Sequence, residues 1–116
     1  MIQSKKTQFL IKLNTHLAQS RKPVIYIAGK VTGLPVDVFR ANFNKAKEKL
    51  TANGFHVLNP CEFIGPDENW HDAMRMASTM LNMADHIYML PDWQDSPGAV
   101  WEFNQAVKFG ISCINE

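Results

Sequence analysis

The sequence predicts an α/β domain, a three-layer sandwich built on a mainly parallel four-stranded sheet, with an extra helix in front of it. Three observations lead there. Short β-rich apolar runs alternate with longer stretches of helical periodicity, an order that forces parallel pairing through right-handed crossovers. The first of these runs, "VIYIAG", is stopped by a glycine, as a central parallel strand is. The last helical stretch opens on Ser96-Pro97-Gly98, an N-cap residue followed by proline at the first helical position.

Taken in order, residues about 3 to 19 read as an amphipathic helix, with Leu10, Leu13 and Leu17 at helical spacing among Lys5, Lys6 and Lys12. Its apolar stripe needs a partner, either its own sheet or a neighbouring subunit. This helix makes residues 1–22 an appendage, and residues 23–116 the domain proper. At 116 residues the chain can hold one core and is too short for two. "VIYIAG" (24–29) is the first strand. From Asp37 onward, Phe39, Phe43, Ala46 and Leu50 recur on one helical face, and Gly54 stands where a helix ends. "FHVLNP" (55–60) reads as the second strand and "NWHDAMRMASTMLNMA" (69–84) as a helix whose methionines belong to the core. "DHIYMLP" (85–91) is the third strand, the last helix runs to Gly110, and "ISCI" (111–114) is the fourth strand. The order is Rossmann- or flavodoxin-like.

Composition removes several classes of function. The chain is 46% hydrophobic and 20% charged, the balance of a globular protein. Its net charge of +1, without a dense Lys/Arg block, argues against a nucleic-acid partner. Apolar runs of about five residues fall far short of the ~20 that cross a bilayer, so no membrane partner is expected. The start of the chain lacks a secretory pattern, which makes the cytoplasm the default location. Cys61 and Cys113 show neither metal-type spacing nor a disulfide framework and read as small core residues in a reducing compartment. His16, His56, His71 and His86 share no spacing that suggests a metal site or a Ser-His-Asp arrangement.

In open parallel sheets, ligands bind beyond the carboxyl ends of the strands, near the switch point. That rule selects "GKVTGLP", "NPCEFIGPDENW" and "PDWQDSPG". Gly29, Lys30 and Gly33 could cradle a phosphate ahead of a helix N-terminus, or form a plain glycine turn. Ser96 and Gly98 open a second anion-friendly helix start, or simply cap it. Glu102 lies among Val100, Trp101 and Phe103, with small Ala99 and Ala106 one turn away, so it faces a space. A carboxylate there needs a hydrogen bond or a raised pKa, unless it reaches water at the rim. Tyr26 lies on the same sheet face as Ala28 and can donate its phenol proton to such a group, or be an ordinary core tyrosine. Asp92 and Asp95 precede Glu102 and offer a second acid, or cap the helix. Two acids about a sugar are what glycosyl chemistry needs.

Together "IYIAGKVTG", the "NP" after the second strand, "ADHIYMLPDW" and "DSPGAVWEFNQAVKFG" resemble the nucleoside 2-deoxyribosyltransferase superfamily, most of all a small branch found in bacteria and their phages. The likeness spans residues about 24 to 114. It implies cleavage or transfer at the N-glycosidic bond of a deoxynucleoside or its monophosphate, without metal or organic cofactor. Glu102 in "GAVWE" matches the nucleophile of that superfamily and Tyr26 the tyrosine that holds it. Gly29, Gly33, Ser96 and Gly98 match positions that touch the sugar or its 5′-phosphate, and Asp92 or Asp95 an acid that handles sugar or base. Relatives complete their sites across subunits, which implies a homodimer or higher oligomer. One position departs: where those enzymes carry an aspartate eight residues before Asp85, this chain has Ala77. The departure favours an alternative, a catalytically silent nucleotide-binding or sensing protein of the same fold.

Overall fold

The computed structural model describes residues 4–18 and 21–115. The outermost parts of the predicted ranges, residues 1–3, 19–20 and 116, lie outside them. Four helices and four strands follow in the expected order: α1 (Lys5–Leu17), β1 (Val24–Ala28), α2 (Val36–Ala52), β2 (His56–Leu58), α3 (Trp70–Asn82), β3 (His86–Met89), α4 (Pro97–Lys108) and β4 (Ser112–Asn115). Cap chemistry sets the helix starts. Ser4 accepts from the Thr7 N–H, Asn69 from that of Asp72, and Ser96 from that of Ala99. Gly54 and Gly110, both at positive φ, turn the chain after α2 and α4.

The sheet is wholly parallel, in the order β2-β1-β3-β4. The chain steps outward from β1 to β2 and then crosses back to β3, so the switch point lies between β1 and β3. Alternation along the strands divides the core. Ile25 and Ile27 face α2, where they pack with Phe43, Ala46 and Leu50. Tyr26, Ala28, Ile87 and Met89 face the other way, toward Leu13, Ala77, Met80, Leu81, Ala99 and Ala106. The result is the predicted three-layer sandwich, with α2 on one side and α1, α3 and α4 on the other.

The strands are shorter than their apolar runs because their ends do other work. Asp85 precedes β3 and its carboxylate accepts from the Val24 N–H at 2.9 Å. Asn59, fully buried after β2, caps a single 3₁₀ turn at Pro60–Glu62 and donates to the Asn44 side chain at 3.0 Å. A second such turn, Trp93–Asp95, links β3 to α4. The two cysteines are free and half-buried rather than inside the core.

α1 belongs to the core. Leu13 is completely buried there, with Phe9 and Leu17 packed beside it. His16 donates from Nε2 to the Val57 carbonyl at 3.0 Å, and the Lys12 ammonium donates to the Glu62 carbonyl. The stripe predicted from Leu10, Leu13 and Leu17 thus finds its partner on its own sheet, which removes the reason it offered for assembly. Leu13→Ala should cost about 2–5 kcal/mol, the range for a buried leucine. Leu10→Ala, at a half-buried position, should cost much less. Urea unfolding of the two variants against the parent checks the difference.

Candidate active site

Glu102 occupies the second turn of α4, and the Ser96 cap fixes the phase that turns it toward the sheet. Its neighbours on that face, Ala99 and Ala106, are both buried and too small to fill the space around it. Only 6% of Glu102 is exposed. Tyr26, in the middle of β1 and as buried, donates its hydroxyl proton to Glu102 Oε2. Burial pushes the Glu102 carboxyl up to about 7, against a smaller downward pull from the Tyr26 hydrogen bond. Burial, and then the facing carboxylate, push the Tyr26 phenol far above its ordinary value, so it stays a donor.

This pair lies in a cavity of about 400 Å³ at the carboxyl edge of the sheet. Gly29, Gly33, Ser96 and Gly98 line the same space. Six of the nine expected site residues are therefore together. The reason for glycine differs among them. A Cβ at Gly29 would come within 2.5 Å of Leu90 Cδ1, so packing against Leu90 demands glycine there whatever the ligand. Gly33 has a φ of 90° with open space around it, the mark of a turn. At Gly98 a Cβ would meet Met74 Sδ at 3.3 Å, and its absence lets α4 begin close against α3.

The other three do not line the cavity. Asp92 accepts from the Lys30 backbone N–H at 3.3 Å, which ties the loop after β3 to the loop after β1. Asp95 is exposed in its 3₁₀ turn and leaves the capping of α4 to Ser96. Neither aspartate is the second acid of this space. Glu68 is the carboxylate that shares it, at the end of the loop before α3. Trp70 and Cys61 line it as well and were also missed. Burial raises the Cys61 thiol to about 11, which leaves it a poor nucleophile. Ala77 borders the cavity, so the position that departs from the resemblance presents a methyl group to whatever binds.

A larger groove of about 810 Å³ runs between α1 and α3. It shares Glu68, Trp70 and Met74 with the cavity but lacks the buried Tyr26–Glu102 pair, so convergent polar groups favour the smaller space. Among the described residues, no group of three or more His, Cys, Asp or Glu is placed to hold a metal ion. No helix of the described residues is long and apolar enough to cross a membrane.

Residues 23–115 match the model of a protein family described as a domain of unknown function, DUF4406. The chain belongs to that family. The match takes in the whole sheet, from β1 to β4, and every cavity residue named above, while α1 lies outside it. No curated protein matches the chain.

The buried acid makes a stability prediction for this DUF4406 member. Glu102 titrates near 4.5 in an unfolded chain and near 7 in the folded one. Between those values the folded state holds a proton that the unfolded state has released, so stability falls as pH rises through the window. At about 1.4 kcal/mol per pH unit, the loss amounts to about 3 kcal/mol above pH 7. Glu102→Gln keeps the shape and an acceptor for Tyr26 without the charge. It should therefore exceed the parent by up to about 3 kcal/mol at pH 8 and lose that advantage near pH 5. Urea midpoints at the two pH values measure it, and a gap that does not change with pH contradicts it.

Proposed function

We propose that this protein breaks the N-glycosidic bond of a deoxynucleoside or deoxynucleoside monophosphate. The observation that carries the reading is a desolvated glutamate, held by a buried tyrosine hydroxyl, in a cavity of nucleoside size at the switch point of the sheet. In the first step a Glu102 oxygen attacks C1′ of the sugar. A C–O bond forms, the C1′–N bond breaks, and its electron pair leaves with the base, which takes a proton from water. In the second step water attacks C1′, the C1′–O bond to Glu102 breaks to restore the carboxylate and release the sugar, and the proton lost by that water neutralises the hydroxide left by the first step. Attack by a nitrogen of another base at that stage would make the reaction a transfer. Tyr26 orients Glu102 and favours its ionised form. The Ser96 hydroxyl and the start of α4 suit the sugar or its 5′-phosphate, as does the loop from Gly29 to Gly33. The sequence of steps calls for no metal or organic cofactor.

Release of free base from deoxynucleosides and their monophosphates, followed by chromatography, tests the reading. Glu102→Gln should reduce the rate by orders of magnitude, and Tyr26→Phe by less, because it removes an orienting bond and leaves the nucleophile. Since only ionised Glu102 attacks, kcat/KM should rise with pH, about tenfold per unit, until it levels near 7. Equal background release by parent and Glu102→Gln overturns the enzymatic reading. Ala77 beside the cavity would then favour the second reading, a silent nucleotide-binding protein.

A homodimer or higher oligomer belongs to the same proposal. Trp101, Val107 and Phe109 are exposed on α4 and just beyond it, large apolar side chains that a second copy could cover. Light scattering at micromolar concentration should give at least twice the 13.2 kDa of the chain. A clean monomer contradicts it.

A further inference from the structure

Among the described residues Glu68 is the one acid besides Glu102 that lines the cavity, and its side chain is only 10% exposed. Its backbone N–H donates to the Gly65 carbonyl at 3.2 Å, and the next residue, Asn69, caps α3. The backbone carrying Glu68 is thus pinned on both sides. The side chain is pinned as well: Lys5 Nζ lies 2.8 Å from Oε2. That lysine comes from α1, outside the family match. A carboxylate has about four acceptor sites, and the Lys5 pair takes one of them.

The groups that line the cavity differ in what they can bind. The start of α4 and the loop from Gly29 to Gly33 favour an anion, whereas Glu68, paired with Lys5, offers a phosphate only further acceptor oxygens. A nucleotide in this space would therefore turn its phosphate away from Glu68 and its base toward it. Trp70, 47% exposed on the first turn of α3, lines the cavity beside Glu68 and offers an aromatic face on which a base can stack. A carboxylate accepts hydrogen bonds from an exocyclic amino group and repels a carbonyl oxygen. Guanine, adenine and cytosine carry such an amino group; thymine and uracil put carbonyl oxygens in its place.

On the nucleoside reading above, we propose that Glu68, positioned by Lys5, selects substrates whose base carries an amino group. The test measures binding of dGMP, dCMP and dTMP by calorimetry to the full chain carrying Glu102→Gln, so that turnover plays no part. The amino-bearing nucleotides should bind about tenfold or more tighter than dTMP. Adding Glu68→Gln should bring the ratio toward one, because an amide also donates to a thymine carbonyl. Adding Lys5→Met, at a position 80% exposed and so safe for folding, should lower the ratio severalfold while dTMP affinity holds. A ratio that survives Glu68→Gln, or a preference for dTMP, overturns the inference and leaves the nucleoside reading standing. Failure of all three nucleotides to bind overturns both.

Discussion

The interaction on which the site depends is the hydrogen bond from Tyr26 to Glu102 across the sheet–helix interface. A carboxylate in that position loses most of its hydration, and only a donor supplied by the fold can offset the loss. The geometry admits little freedom. Tyr26 must alternate with Ile25 and Ile27, which face α2, so that it points the opposite way, and α4 must begin where Ser96 starts it. Each residue of helix adds about 100° of rotation, so a start displaced by one residue would swing Glu102 out of line with the strand. Ala99, which lines the cavity, completes the arrangement by being small. Larger side chains would fill the space in which a ligand must reach the acid.

The same arrangement sets stability against reactivity. Burial raises the Glu102 carboxyl to about 7, so at neutral pH the fold bears a charge it has desolvated. The amide in its place would be easier to keep, and nothing in the packing of Ala99 and Ala106 requires an acid. A destabilising group held in a cavity by a dedicated donor is the pattern of a site at which stability yields to chemistry. Tyr26 cannot take over the negative charge, because burial and the facing carboxylate hold its phenol well above its ordinary value. The pair therefore holds one exchangeable proton near neutrality, and it belongs to Glu102.

Much of this was legible in the sequence because it is written in local patterns. Alternating runs gave the strand and helix order, and Ser96-Pro97-Gly98 marked the helix start that orients Glu102. The small residues at 99 and 106 announced a space. Glu68 was hidden for the opposite reason. It is one of three acids in the loop between β2 and α3, with Glu62 and Asp67, and nothing local distinguishes it. What brings it into the cavity is a turn and an ion pair with Lys5, 63 positions away. Asp92 and Asp95 are near Glu102 in sequence, yet neither lines the cavity. Asp92 is occupied by the Lys30 backbone, and Asp95 faces solvent. Gly29 lines the cavity but has a further reason to be glycine, since a Cβ there would collide with Leu90 across the loops after neighbouring strands.

α1 joins these points. The family domain begins at residue 23, and its sheet and the Tyr26–Glu102 pair are complete without the helix in front. The helix nevertheless contributes Leu13 to the core face on which Tyr26 lies, and its first residue, Lys5, reaches Glu68 at the edge of the cavity. Leu13 anchors the helix that carries Lys5. A lysine on a loose segment would lose much of its pairing to side-chain entropy and screening, whereas here the His16 and Lys12 bonds to the loop and strand around β2 hold the helix to the same element that carries Glu68. On the proposal above the appended helix would act through Glu68, while Tyr26 and Glu102 belong to the family domain itself.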